Sequence, residues 1–300
     1  MYTNRKIIFD GGVITHKAIY AYSMMKEKGI DCPPATYTAM SMMLGTLARI
    51  GLRENDEVII CLDSRGNWRK SLRQEYKGQR AEQREKTDVN WKEEYEKMNT
   101  LFEQIDNTTD WFVISSPKTE ADDLIAESVR FFKDYECIVV SIDKDFHQLF
   151  YYDNFKMFNI HSAHKLIPYI ILDLDRDKEK QKAYGSLFSK IKKEKTDNLV
   201  AEIITEKEDE VQDQVVNLLK LPEFVSQPIQ VELEKISKTI KQVDPENFPF
   251  ARTLYPRYLK CFDENNPKII TYEQCRVKFA KKLEKKKKIK KLDTIKQKMV

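Results

Sequence analysis

Acidic residues recur in this sequence directly after strand-like apolar runs. The runs "RKIIFD", "EVIICLD" and "ECIVVSID" each end in an aspartate, and "DWFVIS" is followed by a short loop and then "TEADD". The residues are Asp10, Asp63, Glu120, Asp122, Asp123, Asp143 and Asp145. Carboxylate oxygens are the ligands that hard cations such as Mg²⁺ prefer. A pair of such ions can activate water and stabilise the leaving oxygen of a phosphodiester.

Each acidic motif, taken singly, also has a structural explanation. Thr119 fits a helix N-cap with Asp122 in the first turn, where the helix dipole favours negative charge. A lone Asp after a strand suits a turn, and so does the "DKD" stretch. No cap or turn rule, however, requires acids at four strand ends, and such a cluster is strongly repulsive without cations. We therefore favour a metal site built from all four segments.

The elements that would position these acids are predicted from hydrophobic patterning. The four apolar runs are continuous rather than alternating, which is typical of parallel strands buried on both faces. Helical patterns such as "AIYAYSMMKEKG" and "DLIAESVRFFKDY" separate them, and "YYDNFKMFNI" and "LIPYIIL" add edge strands. This order predicts an α/β domain whose ligands bind outside the carboxyl ends of the strands. Beyond about residue 180 we expect a second, mostly helical region interrupted by prolines.

The stretch 65–96 lies between two predicted strands, is dense in charge and is long for a bare loop. We expect it to be helical and to project from the core. Its basic residues recur every three or four positions and would share one side of a helix: Arg65, Arg69, Arg73, Lys77, Arg80 and Arg84. Trp68 and Tyr76 lie among them, as in surfaces that bind phosphates and stack on bases. Interspersed glutamates also allow a solvated helix with internal ion pairs, but the proximity to Asp63 favours nucleic acid.

Composition bounds the class of protein. The 300 residues are 41% hydrophobic and 33% charged, as in soluble globular proteins. We see no membrane-spanning run and no signal peptide, and the five cysteines lack a CxxC pair, so we expect a reducing cytoplasm without structural zinc. A nucleotide cofactor is disfavoured, because the sequence has no phosphate-binding glycine loop and "DGGV" lacks the GxGxxG spacing.

Charge is distributed unevenly along the chain. Residues 276–300 carry twelve Lys and Arg against Glu284 and Asp293, a net of +10, whereas the whole chain has a net charge of +4. An acidic body with a basic tail suits a metal-dependent enzyme acting on a polyanion, and equally a solubility tail. The tail could contact duplex nucleic acid or dock on an acidic partner such as a single-strand-binding protein.

Four motifs together resemble a known family. "FDGG", "LDSRGNWRKSLRQEYKGQR", "TEADDLIA" and "SIDKDFHQL" are similar, in order and spacing, to the 5′-nuclease superfamily of flap endonucleases and 5′–3′ exonucleases. Within it, the likeness is greatest to the ribonuclease H of T-even-type phages, and it extends from residue 6 to about 160. The resemblance implies a PIN-like parallel sheet with helices on both faces and a helical arch at about 65–96. It divides the chain into a catalytic domain, 1–180, and a helical DNA-binding region with the basic tail, 181–300.

The resemblance also implies residue roles. Two Mg²⁺ ions, for which Mn²⁺ can substitute, are expected as cofactors. The acids around the first ion would be Asp10, Asp63, Glu120 and Asp122. Asp143 and Asp145 would lie nearer the second ion, and Asp123 would lie close to both ions. Lys77 and Arg80 in "YKGQR" match the basic pair that contacts the scissile phosphate.

The chain departs from the family at its next motif. Members carry "GDxxDN" before a helix–turn–helix element, whereas this chain has "KIKKEKTDNLVAEI" at 190–203. Asp197 matches, Glu194 stands in place of an Asp, and the glycine is missing. Lys192, Lys193 and Lys195 could meet phosphates there, although an ordinary charged helix also fits. This departure puts in doubt the binding of the second metal ion and the binding of duplex DNA.

These observations predict a Mg²⁺-dependent 5′–3′ exonuclease and flap endonuclease that removes RNA primers or flaps during phage DNA replication. Its partners would be DNA and RNA–DNA with 5′ ends, flaps or forks, and it would act as a monomer in the bacterial cytoplasm. An alternative is a non-catalytic protein that binds branched DNA and keeps the nuclease fold. A PIN-type ribonuclease ranks last, because those domains are usually shorter and lack an arch.

Overall fold

The fold is described here by a computed structural model, which covers residues 4–64, 66, 68–69, 90–160, 169–172 and 218–262. At the centre lies one six-stranded sheet. Its strands are β1 (Arg5–Asp10), β2 (Glu57–Cys61), β3 (Phe112–Ile114), β4 (Glu136–Ser141), β5 (Phe155–Ile160) and β6 (Tyr169–Leu172), in the order β3-β2-β1-β4-β5-β6. The first five are parallel, and β6 runs antiparallel to β5. All six strands predicted from the sequence are confirmed.

Side chains of the central strands alternate between two hydrophobic cores. In β1, Ile7 and Phe9 enter one core and Ile8 enters the other. The same alternation holds in β2, where Ile60 and Ile59 point to opposite faces. Because both faces are covered, the strands read as continuous apolar runs rather than as alternating ones.

Four helices cover the first face. They are α1 (Gly11–Glu27), α2 (Ala35–Ile50), α3 (Trp91–Thr108) and α6 (Ala251–Leu259). The side-chain oxygens of Asp10 and Asn90 accept backbone N–H groups at the starts of α1 and α3. Since α3 begins at Trp91 and buries Met98 and Leu101 in the core, residues 91–96 belong to the packed layer and not to a projecting arch.

The second face is covered by α4 (Ala121–Phe131), a 3₁₀ helix (Lys144–Tyr151) and α5 (Glu223–Ser237). The amphipathic pattern of α5 buries Val225, Ile229 and Leu233 against this core. Residues from the C-terminal part of the chain therefore enter both cores, α5 on one face and α6 on the other. The predicted boundary at 180/181 lies outside the described residues.

Prolines do not interrupt the C-terminal helices as the sequence predicted. Pro228 lies inside α5 and Pro256 inside α6. A proline removes one backbone hydrogen bond from a helix, at a cost of roughly 3 kcal/mol in an interior turn. The apolar contacts that α5 makes in the second core, and that α6 makes in the first core, outweigh that loss. No helix among the described residues is long and apolar enough to cross a membrane.

Candidate active site

Three aspartates meet at the carboxyl edge of the sheet because β1, β2 and β4 are adjacent and parallel. Asp10 is the last residue of β1, whereas Asp63 and Asp143 each follow the end of their strand by two residues. Asp10 is only 5% exposed. Burial raises its pKa to about 6; hydrogen bonds from Ser141 and Val13 oppose that effect, and the charges of Asp63 and Asp143 add to it. The three carboxylates therefore interact electrostatically.

Two glycines allow this close approach. A Cβ atom on Gly11 would come within 2.4 Å of the Leu62 side chain and 2.7 Å of the Cys61 carbonyl oxygen, so only glycine lets α1 start against the end of β2. A Cβ atom on Gly12 would lie 3.3 Å from Asp10 Oδ1 and 3.6 Å from Asp63 Oδ2. Gly12 thus borders both carboxylates.

Fixed hydrogen bonds orient each of these aspartates. Ser141 Oγ donates to Asp10 Oδ2 at 2.7 Å, and the N–H of Val13 donates to Asp10 Oδ1 at 3.1 Å. The Ala121 N–H at the start of α4 donates to Asp63 Oδ1 at 2.8 Å. These contacts place the carboxylates in single orientations before any ligand binds.

The "DKD" stretch forms the start of the 3₁₀ helix. The N–H of Asp143 donates to Ser141 Oγ at 3.1 Å, and the N–H of Asp145 donates to Asp143 Oδ1 at 2.9 Å. Asp143 is therefore a capping residue as well as a member of the acidic edge. The helix-capping role and the role in the acidic site are therefore compatible for this motif.

The start of α4 brings Asp122 to the same edge. Burial raises the pKa of the Cys61 thiol, and the charges of Asp10 and Asp122 act on it in the same direction. The effect of its charge on Cys61 places Asp122 near the end of β2, and its side chain is half-buried. Among the described residues, acids from four segments of the chain therefore lie at one edge of the sheet.

Glu120 and Asp123 differ from the other acids, because a buried arginine contacts both. Arg69 Nη1 lies 2.7 Å from Glu120 Oε2, and Arg69 Nη2 lies 2.5 Å from Asp123 Oδ1. Trp68 Nε1 and the backbone N–H of Glu120 also donate to Asp123 Oδ2, at 2.9 and 3.1 Å. Asp123 is 0% exposed, and its partners are groups of the protein.

The placement of Arg69 contradicts the sequence expectation. Its guanidinium is 5% exposed and points into the protein, not along an outward stripe that meets phosphates. The error has a physical reason: spacing alone does not reveal that the chain after Asp63 folds back onto the loop before α4. The N–H of Trp68 donates to the Lys118 carbonyl oxygen at 3.0 Å, and that of Ser64 donates to Thr119 at 3.1 Å.

Several predicted site residues lie outside the described residues. They are Arg65, Arg73, Lys77, Arg80, Arg84, Lys192, Lys193, Lys195, Glu194 and Asp197. Gly11, Gly12 and Ser141 also border the site, and the sequence did not predict their roles. A polar serine at the end of an otherwise apolar buried strand, and a glycine pair directly after a strand-end aspartate, were the signals available.

The donor set fits a divalent cation that keeps part of its water shell. Its members at the edge are carboxylates, the ligands of hard cations, and the charges of Asp63 and Asp143 add to the burial that raises the pKa of Asp10. Within the described ranges, no three Asp, Glu, His or Cys side chains form a ready-made metal cage. Mg²⁺ needs no such cage, since it commonly takes one or two carboxylates and retains waters.

Comparison with known families agrees with this geometry. A family model described as the 5′–3′ exonuclease N-terminal resolvase-like domain matches residues 5–182, more than half of the chain. The chain belongs to the 5′–3′ exonuclease family. The match begins at the start of β1 and includes the acids of the sheet edge from Asp10 to Asp145, but not Glu194 or Asp197.

Individual relatives were also found. The chain is 29% identical over 107 residues to ribonuclease H of Enterobacteria phage T4, a match that covers 34% of this chain and only about a third (35%) of that protein. A phage T5 5′-exonuclease with bound zinc ions aligns over 88% of this chain and 90% of its own, at 15% identity and a TM-score of 0.46. A bacteriophage T5 flap endonuclease in complex with DNA and metal ions aligns over 88% and 95%, at 16% identity and a TM-score of 0.44.

Proposed function

We propose that the protein is a divalent-metal-dependent 5′–3′ exonuclease and flap endonuclease. The observation that carries this proposal is the convergence of Asp10, Asp63 and Asp143, from three parallel strands, with Asp122 from α4 at the same edge. Membership of the 5′–3′ exonuclease family supports it. Two Mg²⁺ ions, or Mn²⁺ in their place, are the proposed cofactors.

The proposed roles follow from the contacts at the edge. Asp10, Asp63, Asp122 and Asp143 would hold the cations, with Asp145 next to them. When bound, the cations would supply positive charge to the phosphodiester and lower the pKa of water. Ser141 and the Ala121 N–H would keep Asp10 and Asp63 oriented, because each donates to a carboxylate oxygen.

Residues beyond the described part of the chain complete the proposal. Lys77 and Arg80 would orient and neutralise the phosphodiester, and Glu194 and Asp197 would serve the second cation. Contacts with the phosphate backbone of the nucleic acid would come from the basic residues Arg65, Arg73, Arg84, Lys192, Lys193 and Lys195. The substrates would be DNA and RNA–DNA with 5′ ends, flaps or forks, during primer or flap removal in phage replication. We also propose that it acts as a monomer in the host cytoplasm.

The first test is cleavage of a 5′-labelled flap substrate with Mg²⁺ and with EDTA. EDTA should stop cleavage. Asp122→Asn should lower the rate by more than the roughly 10- to 100-fold loss that is typical of residues supporting a metal ligand. Binding of the substrate should be largely retained, because Asp122 repels phosphate.

A matched control is Asp134→Asn, which alters an exposed turn before β4, at the opposite edge of the sheet. It should cleave at the wild-type rate. Near-normal turnover by Asp122→Asn would show that Asp122 does not belong to the active site.

Lys77→Ala tests the proposed phosphate contact. Because a cation beside the scissile phosphate acts mainly on the transition state, the variant should lower kcat more than it weakens binding. Single-turnover cleavage and binding of the same flap measure the two effects. Weakened binding with unchanged kcat would make Lys77 a simple anchor.

A second candidate is a non-catalytic protein that binds branched DNA. The altered motif around Glu194, which lacks the family glycine, favours it. Structure-selective binding without any metal-dependent cleavage would support this candidate over the nuclease.

A further inference from the structure

A row of polar side chains crosses three adjacent strands at the carboxyl edge of the sheet. Ser141 follows Val139 of the second core by two positions, so its side chain lies on that face of β4. Asn159 follows Met157 of the same core in the same way on β5. Ser141 and Asn159 are register partners, about 4.8 Å apart as neighbouring strands are. Asp10 of β1, which accepts from Ser141 Oγ, completes the row.

The side-chain amide of Asn159 has an unpaired oxygen. Among the described residues, Asn159 Oδ1 is one of four buried side-chain nitrogen or oxygen atoms that have no hydrogen-bond partner. Such atoms are rare in folded proteins, because a buried acceptor that loses water and gains no donor is destabilising. Asn159 Oδ1 is therefore suited to accept a hydrogen bond from a bound molecule.

The neighbouring groups of the row do not supply the missing donor. Ser141 Oγ has a single hydrogen, which it donates to Asp10 Oδ2 at 2.7 Å, and it accepts the N–H of Asp143 at 3.1 Å. An ionised carboxylate only accepts hydrogen bonds, so the acids of the edge have none to give. The donor that fits Asn159 is thus a molecule with its own hydrogens, bound beside these acids.

A hydrated divalent cation brings such hydrogens. Mg²⁺ commonly takes one or two carboxylates and keeps several waters. The positive charge lowers the pKa of those waters, which makes their O–H groups strong donors. Asp10 and Asp143, two of the proposed ligands, both contact Ser141, the register partner of Asn159. The proposed cation site and the unpaired oxygen therefore adjoin the same serine.

We propose that Asn159 is a positioning residue of the metal site, whose Oδ1 accepts a hydrogen bond from a water of the cation's hydration shell. The inference rests on the proposed function and extends its site to β5, a strand that contains no acid. Asn159 would give that water a fixed orientation, since groups that hydrogen-bond to the ligands of a metal orient them and raise the affinity for it.

An asparagine without this role would respond differently to replacement. Asn159→Leu removes the amide while nearly keeping the side-chain volume. If the amide only fills space or holds a water unrelated to metal, the substitution changes stability but not the affinity for a cation. If the amide holds a water of the cation, the affinity falls as well. The affinity of the full chain for a divalent cation therefore separates the two roles.

The test measures the Tm in EDTA and the binding of Mn²⁺, followed by the electron paramagnetic resonance signal of the free ion. Asn159→Leu should have a Tm in EDTA at or above that of wild type, because an unpaired buried acceptor is removed. Its Kd for Mn²⁺ should be raised by roughly 10-fold, as is typical when a partner of a metal ligand is lost.

Asn159→Asp keeps an acceptor oxygen at the same place and adds a charge. Its Kd for Mn²⁺ should be equal to or lower than that of wild type, since the carboxylate can hold the same water or the ion itself. A higher Kd in this variant would contradict the inference. This second variant keeps the inference testable if Asn159→Leu does not fold.

Asn154→Leu is the matched control. Asn154 is a buried asparagine directly before β5, at the opposite edge of the sheet, and its Nδ2 donates to the carbonyl oxygens of Val129 and Phe132 at 3.0 and 3.1 Å. The substitution should lower the Tm in EDTA and leave the Kd for Mn²⁺ unchanged. An increase in Kd as large as that of Asn159→Leu would show a general loss of structure and overturn the inference.

Equal Mn²⁺ affinities of wild type and Asn159→Leu, together with wild-type cleavage of the flap substrate, would overturn the inference and leave the nuclease proposal intact. If wild type neither bound Mn²⁺ nor cleaved the flap, the metal site and this inference would both fail. Weaker Mn²⁺ binding by Asn159→Leu, with unchanged binding by Asn154→Leu, supports the inference.

Discussion

At the scale of single residues, the buried charge of the acidic site lowers the stability of the folded protein. Asp10 is buried beside Asp63 and Asp143, and burial is the main reason that its pKa rises from 3.8 to about 6. An acid with a raised pKa in the folded protein binds its proton more tightly there than in the unfolded chain. Its contribution to stability is thus lost as the pH rises through about 6, and the loss is about 3 kcal/mol.

Asp10→Asn removes the buried charge and should abolish cleavage. In EDTA at pH 8, we expect the variant to be more stable than wild type by about 1–3 kcal/mol, because no buried charge has to be maintained. Between pH 4 and 6, wild type should lose stability as the pH rises, and the variant should lose less. Urea unfolding at each pH measures both effects.

A variant that is less stable than wild type at pH 8 would show that the Ser141 and Val13 hydrogen bonds to Asp10 outweigh the cost of burying its charge. Asp134→Asn serves again as the control, since this exposed acid should leave the pH dependence unchanged.

At the scale of elements, α4 carries the acids and depends on α5 for its packing. Val225, Ile229 and Leu233 of α5 share a core with Leu124 and Ile125 of α4. Gln230 Nε2 donates to Glu127 Oε1 at 2.7 Å, which joins the two helices at their polar margin. The acidic edge is therefore supported by a helix about 100 residues away in the sequence.

Leu233→Ala tests this dependence. Leu233 is 0% exposed, so the cavity should lower the free energy of unfolding by about 2–5 kcal/mol. Val231→Ala, two residues away on the opposite side of the same helix and 67% exposed, should change it by less than about 0.5 kcal/mol. Chemical unfolding followed by tryptophan fluorescence measures both.

A single transition that shifts as a whole in Leu233→Ala is expected, because α5 is part of the second core. A separate, early transition confined to the C-terminal part would contradict that arrangement.

At the scale of the whole molecule, the segment 218–262 ties the two faces of the sheet together. Gln148 accepts the Leu218 N–H at 3.1 Å, and Arg130 donates to the Leu218 carbonyl oxygen at 2.8 Å. Farther along, Lys241 Nζ lies 2.8 Å from Asp106 Oδ1, and Tyr258 donates to Asp110 Oδ2 at 2.8 Å. The segment 218–262 thus crosses from one face to the other and packs against both.

The basic tail, residues 276–300, contributes to the net charge of the whole molecule. Changing Lys285, Lys286, Lys287 and Lys288 to Gln removes four positive charges without changing the chain length. If the tail contacts duplex phosphates, affinity for a nicked or flapped duplex should fall, and the slope of log K against log salt should flatten by up to about 3–4. Fluorescence anisotropy at several salt concentrations measures the slope.

Unchanged affinity and slope would exclude the duplex contact and leave docking on an acidic partner or a solubility role. The Tm should stay at the wild-type value in either case, since a run of four lysines has the composition of a solvent-exposed segment.

The sequence by itself determined the architecture and the location of the acidic edge. Continuous apolar runs predict parallel strands buried on both faces, and in parallel strands every carboxyl end lies at one edge. The placement of Asp10, Asp63 and Asp143 at one edge follows from those two facts, whatever the order of the strands in the sheet.

Only the tertiary structure decided the remaining contacts. Arg69 reads as one member of a basic stripe, but the chain after Asp63 folds along the loop before α4 and carries that guanidinium inward. Pro228 and Pro256 read as helix breaks, but the apolar faces of α5 and α6 gain more from packing than each proline removes. In both cases the deciding interaction joins residues at least 50 positions apart, and the sequence around one partner does not show where the other partner will lie.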